Sequence, residues 1–200
     1  MVDVISLLLV QLNQYLHQVD GNPLGTANPA VWGNIAQLDQ TEIATELENQ
    51  LVLTLVNIEE ERTLKNGSTV TREPAGTVHY HNPALHLNLF LLFSANYRNY
   101  ATALRRLTQV ITFFQGKQTF TTANSPEISQ SAAPITDFCL TMDLLSLSFE
   151  QVSYLWGSLG GKQLPFVLYR GRLVTIRDRR VLEGGGHIQE IEVTSRDATS

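Results

Sequence analysis

Lysine and arginine are missing from the first 61 residues of this 200-residue chain, although 14 of them occur against 19 aspartates and glutamates, for a formal net charge of −5 at pH 7. The opening stretch MVDVISLLLVQL therefore lacks the basic n-region of a secretory signal. It also lacks a small-residue cleavage site, and its apolar run breaks at Gln11, Asn13 and Gln14, too early for a membrane span. Cysteine is nearly absent: Cys139 stands alone, which excludes an intrachain disulfide and points to synthesis in a reducing cytoplasm. Internal repeats are lacking as well. With 43% hydrophobic residues, the chain has enough apolar side chain for a core in one domain, or one domain with a small accessory element.

The basic residues that do occur are bunched. Nine acidic residues fall in positions 1–61, leaving 14 basic against ten acidic in the rest. Between Lys162 and Arg180 the balance is six basic to one acidic, with Arg170, Arg172, Arg177, Arg179 and Arg180 on or just beyond one predicted strand. Such asymmetry steers association. Two readings stay open: a solvated strand edge on which positive charge discourages stray pairing, and a subunit contact. Nucleic acid is the weaker third, because the chain is acidic as a whole and little aromatic character beyond Tyr169 interleaves the cations.

Periodicity predicts an amphipathic helix over 3–19, with Asp3 as N-cap and Ile5, Leu8, Leu12, Tyr15 and Val19 on one face. A short strand is expected within 31–38 and a helical turn over 41–48. Residues 51–58 are apolar on both faces, as in a central strand covered on both sides, and Glu59, Glu60 and Glu61 must leave the core. Asn66-Gly67, Pro74, Gly76 and Pro83 mark a connection long enough to expect a partner to order it. An inner strand follows over 85–93. The helix 97–115 carries Tyr97, Tyr100, Leu104, Leu107, Ile111 and Phe114 on its predicted buried face, with Gly116 as cap. Strands are expected near 119–122, over 138–147 and over 166–176, and a terminal one over 187–194 tethered by Gly184, Gly185 and Gly186. Helices and strands mix without strict alternation, which gives an α+β class with a mixed β-sheet packed by helices.

The segment 148–172, SFEQVSYLWGSLGGKQLPFVLYRGR, looks like a phosphate-binding loop and fails that reading. Only three residues separate Gly157 from Gly161, and Gln163 follows Lys162 where a metal-binding Ser or Thr is needed. Ser148 and Gln151 read as a capping box that opens a helix with Val152, Leu155, Trp156 and Leu159 inward. Gly160 or Gly161 then closes that helix in the left-handed conformation, and Pro165 stops its continuation, so Trp156, Gly160, Gly161 and Pro165 form a structural motif.

Catalytic and metal chemistry find little support. His79, His81 and His86 in HYHNPALH have no nearby carboxylate or cysteine to complete a metal site. Glu59 and Glu61 could act together from one strand face, although a solvated strand end is the simpler reading. Ser158 sits in G-S-L-G inside a helix rather than at a strand-to-helix elbow. Cys139 is buried by pattern and inert. No cofactor is indicated. A small nucleotide- or nucleic-acid-binding α/β module stands as the alternative functional class.

As a whole the chain resembles the cap, or tail terminator, proteins of extracellular contractile injection systems, the phage-tail-like particles of the Photorhabdus virulence cassette and antifeeding prophage type. The segments that carry the resemblance are VISLLLVQLN, LVLTLVNIEEERTLKN at 51–66, NPALHLNLFLLFSANYRNYATALRRLTQVITFFQ at 82–115 and LWGSLGGKQLPFVLYRGRLVTI at 155–176. The last two are specific in combination. The resemblance implies a single tail-terminator-like domain over residues 1–200, non-enzymatic, in a homo-hexameric ring at the distal end of the particle. There it would meet the terminal layers of sheath and inner tube and end their polymerisation, with no membrane partner. Some relatives carry further C-terminal sequence. Lys162, Arg170, Arg172, Arg177 and Arg179 against Glu59 and Glu61 are the candidate charged contacts. Residues 184–200, with Ile188, Ile191 and Val193, are the candidate flexible arm for strand exchange with a neighbour.

Overall fold

A computed structural model describes residues 2–22, 27–61, 70–72, 78–81, 85–121, 123–125, 139–176 and 181–185; for 70–72, 78–81, 173–176 and 181–185 it describes the backbone alone. Helix α1 (Val2–Val19) leads to β1 (Ala30–Trp32), a short 3-10 turn (Ile35–Gln37), α2 (Thr41–Glu46) and β2 (Gln50–Glu60). Then come β3 (Val70–Arg72), β4 (Val78–His81), β5 (Leu85–Asn96), α3 (Tyr100–Gly116), β6 (Thr119–Thr121), β7 (Cys139–Leu145), α4 (Phe149–Ser158), β8 (Phe166–Ile176) and β9 (Val181–Gly185). Six strands form one sheet in the order β1-β2-β5-β8-β7-β6, and β3-β4-β9 form a second. Only β1 runs parallel to its neighbour, so the main sheet is mixed and the class is α+β.

Two apolar clusters sandwich the main sheet. On one face α1 and α3 cover Leu51, Leu53, Leu89, Leu91, Phe93 and Tyr169. On the other, α4, α2 and the 3-10 turn cover Val52, Leu92 and Leu168 with Ile35, Leu47 and Trp156. This double coverage is why Leu51, Val52 and Leu53 read as apolar in succession: each is no more than 2% exposed. Beyond Leu55 a bulge interrupts the β2–β5 ladder, the helices no longer cover the strand, and Glu59 and Glu60 are exposed.

Several expectations are corrected. Asp3 lies within the first turn of α1, where its charge complements the helix dipole, rather than capping it. Helix α3 begins at Tyr100 because Asn99 is its N-cap, accepting from the Thr102 N–H at 3.1 Å, so Tyr97 precedes the helix. Its buried face holds Ala103, Leu107, Val110, Phe113 and Phe114, whereas Tyr100 and Leu104 are 66% and 45% exposed. The helix is rotated from the predicted orientation because Phe113 and Phe114 both turn inward to meet Tyr15, Phe93 and Tyr169. Lys117, in extended conformation, is the C-cap, and Gly116 closes the last turn without a left-handed backbone. Cys139 is exposed, because the alternation of β7 turns Leu140 and Met142 inward and leaves Cys139 outward.

The long connection after β2 contains two strands, β3 and β4, and β9 pairs with β4. Gly184 and Gly185 sit opposite His79 and Val78 in that ladder, so these two glycines are strand residues rather than a tether. The C-terminal end of β2, the start of β5 and the end of β8 adjoin one another, since Glu60 pairs with Leu87 and Ile176 with Leu85. The chain therefore enters the second sheet from one end of the first. Asn66, Gly67, Pro74, Gly76, Pro83 and residues 186–200, including the expected strand 187–194, lie outside the described residues.

Candidate assembly surface

The segment that opens with Ser148 builds the turn from α4 into β8. Ser148 accepts from the Gln151 N–H while the Gln151 side chain accepts from the Ser148 N–H at 2.9 Å, a complete capping box. At the other end Gly160 and Gly161 have φ of +98° and +79°, and the Gly161 N–H donates to the Trp156 carbonyl at 2.7 Å. The Trp156 ring, 3% exposed, meets Phe166 at 5.4 Å between centroids. Pro165 delivers the chain into β8, its carbonyl accepting from the Ala95 N–H at 2.9 Å. Glycines that end a helix direct carbonyls outward, the wrong polarity for a phosphate. Lys162 is exposed in this turn.

Four charged residues singled out in the sequence share one face of the main sheet. Arg170 and Arg172 follow Leu168 on the α4 side of β8, and the register sets Arg170 between Asp143 and Phe90. Glu59 is opposite Asn88 on that same face, and Glu61 follows two residues on. The Asn88 amide donates to Glu61 Oε2 at 3.1 Å, and the Asn57 amide donates to Glu59 Oε1 at 3.2 Å. Arg172 Nη2 donates to Asp143 Oδ1 at 3.3 Å with its Nε against Oδ2, and Arg170 Nη2 lies 3.7 Å from Oδ2. Asp143, distant in sequence, thus offsets the charge of both arginines. That partner has no signal in the sequence beyond its place across β7. With the three side chains 31–43% exposed, each pair contributes at most about 1 kcal/mol. Arg177, Arg179, Ile188, Ile191 and Val193 lie outside the described residues.

Among the described residues the catalytic alternatives find no constellation. Ser158 donates its hydroxyl to the Leu155 carbonyl at 2.8 Å within its own helix. His79 and His81 sit on β4 and His86 on β5, and among the described residues no group of three or more His, Cys, Asp or Glu could hold a metal ion. Two open depressions stand out among the described residues. One, of about 530 Å³, is lined by Ile5, Trp32, Gly33, Asn34, Leu53, Thr54 and Leu55; the other, of about 500 Å³, lies between α3 and the turn into β8 and is lined by Tyr100, Leu104, Leu107 and residues 163–166. Neither pairs two titratable groups. Among the described residues no helix is long and apolar enough to cross a membrane.

Charge is uneven along the chain. Described residues up to 61, which supply α1, β1, α2 and β2, carry nine acidic groups and no Lys or Arg. The stretches 85–121 and 139–176, which supply the other strands of the main sheet with α3 and α4, carry seven basic residues against Asp143 and Glu150. The two sets are not separate in space, since Arg98 pairs with Glu48 and Arg106 Nη1 lies 2.7 Å from Asp20 Oδ2, whereas Arg105 and Lys162 are exposed.

A family model described as the Pvc16 N-terminal domain matches residues 3–190. Among solved structures, the chain is similar to the PVC sheath/tube terminator, in the extended state, of an extracellular contractile injection system: 12% identity, TM-score 0.63, covering 100% of this chain and 64% of that one. It is also similar to the anti-feeding prophage cap, the AFP tube terminating cap, at 13% identity and TM-score 0.49, covering 73% of this chain and 49% of that one. The chain thus spans 64% and 49% of the lengths of these two proteins. No curated protein matches it.

Proposed function

Because this chain belongs to the Pvc16 N-terminal domain family, we propose that it is a structural cap rather than an enzyme. It forms a homo-hexameric ring on the distal end of a contractile injection particle and terminates inner tube and sheath polymerisation. It is made in the bacterial cytoplasm and becomes part of an assembled injection particle, cytoplasmic or released extracellularly. The uneven charge supports self-association: a ring subunit uses two different faces, and acidic residues of 1–61 meeting a neighbour's exposed Arg105 and Lys162 favour head-to-tail over head-to-head contact. Arg170 and Arg172 contribute less than their number suggests because Asp143 shares their charge, and Arg98 and Arg106 are offset by Glu48 and Asp20, so the exposed Lys162 and Arg105 are the stronger contacts.

Native mass spectrometry of the purified chain, paired with particle lengths from cells lacking it, tests the reading. A closed multimer and overlong or unfinished particles are expected. A monomer at every concentration, together with particles of normal length, overturns it.

A further inference from the structure

An exposed sheet edge presents backbone N–H and C=O groups that another chain can pair with. The two edges of the six-stranded sheet are β1 and β6, and an asparagine side chain occupies each. On β1, the Ala30 N–H donates to Asn13 Oδ1 at 2.9 Å, and Asn13 Nδ2 donates to the Ala30 carbonyl at 2.8 Å. Asn13 comes from α1, so the helix that covers one face of the sheet also closes its end. On β6, Gln118 accepts from the Met142 N–H of β7, which turns the backbone groups of Thr119 and Thr121 away from β7. Asn124 takes them: its Oδ1 accepts from the Thr121 N–H at 2.8 Å, its Nδ2 donates to the Thr119 carbonyl at 2.9 Å, and its own N–H donates to the Thr121 carbonyl at 3.2 Å. Lys117 Nζ holds this turn in place, donating to the Asn124 carbonyl at 2.7 Å and to Gln11 Oε1 on α1 at 2.8 Å.

A primary amide carries an acceptor oxygen and N–H donors on one planar unit, so it can offer the acceptor and the donor that a peptide group offers. Each asparagine thus stands in for one residue of a missing next strand. We propose that Asn13 and Asn124 are stoppers that keep the main sheet from accepting a strand from a second copy of this chain, so that copies join through side-chain surfaces instead. With Ala30 on one edge and Thr119 and Thr121 on the other engaged in this way, a β-ladder running through the subunit from one neighbour to the next is obstructed at both edges. The use of this property in ending a polymer rests on the cap reading above; the blocking itself does not.

Asn124 is exposed, its Oδ1 also accepting from the buried Ser125 hydroxyl at 2.9 Å, and the decisive variant is Asn124→Ala in the full chain. Far-UV circular dichroism should be unchanged. Loss of the amide should speed hydrogen exchange at Thr121 roughly 5- to 30-fold, the factor expected for one or two kcal/mol of local stability. Sedimentation should show growth beyond the wild-type mass as concentration rises. Asn124→Asp keeps the acceptor for Thr121 but has no donor for Thr119, and should fall between the two. Unaltered exchange at Thr121, or faster exchange with no added association, overturns the proposal. Asn13→Ala removes the buried stopper and serves as a second variant, read by exchange at Ala30. Particle length measured with Asn124→Ala separates the two ideas: new association beside normal particles leaves the blocking intact and removes its role in termination.

Discussion

Tyr169 is 3% exposed against Phe93 and Phe114, and burial pushes its phenol from 10.0 up to about 12. Tyr97 moves in the same direction, because burial outweighs the opposing effect of Arg106. The protonated phenol is favoured in the folded chain, so its contribution to stability is complete below pH 10 and is lost as pH climbs through about 12. Denaturant midpoints should fall across that window, and Tyr169→Phe should flatten the fall; an equal slope in the variant would exclude Tyr169 as its source. At Gly160 an added Cβ would meet only the Ala36 carbonyl, at 3.8 Å, so Gly160→Ala isolates the cost of a left-handed backbone. About 1 kcal/mol of destabilisation is expected, read as a lower Tm. Trp156 Nε1 is buried with no hydrogen-bond partner among the described residues. Trp156→Phe therefore removes an unpaired donor along with some packing and should cost less than about 1.5 kcal/mol, whereas Trp156→Ala should cost about 3–5 kcal/mol in denaturation.

At the scale of elements, local rules succeed where the signal is local. The capping box of α4 needs only Ser148 and Gln151, three residues apart, and both of its hydrogen bonds form. Ser148→Ala should destabilise the chain by about 1 kcal/mol without altering assembly, measured by thermal unfolding beside native mass spectrometry. Helix α3 shows the limit of such rules. Its apolar residues spread around a broad arc, so periodicity alone offers two adjacent stripes; contact of Phe114 with Phe93 and Tyr169, and of Phe113 with Tyr15, selects the one through Phe113 and Phe114. Tyr100 and Leu104 are left to line a depression with Leu164, Pro165 and Phe166.

For the whole molecule, contacts between exposed acidic and basic groups of neighbouring copies should make self-association sensitive to salt and to charge reversal. Arg105→Glu with Lys162→Glu should weaken ring formation in native mass spectra while far-UV circular dichroism stays constant. Arg170→Glu should do less to the ring, since it breaks a shared ion pair within the subunit. Equal effects from both would place the contact on the β8 arginines instead.

The α+β class, the helix–strand order from 85 to 176, the capping box of α4 with its glycine-ended turn, and the uneven charge were all legible in the chain itself. They depend on residue spacing of two to four and on counting charges, which need no knowledge of distant partners. Tertiary structure alone brought Asp143 to Arg170 and Arg172, put Glu59 and Glu61 on their face, turned Cys139 outward and paired β9 with β4. It also brought Asn13 to Ala30, 17 residues away, and so closed a sheet edge. These contacts join side chains and strands far apart in sequence, and hydrogen bonding and charge pairing leave no periodic trace along a single strand from which the partner could be read.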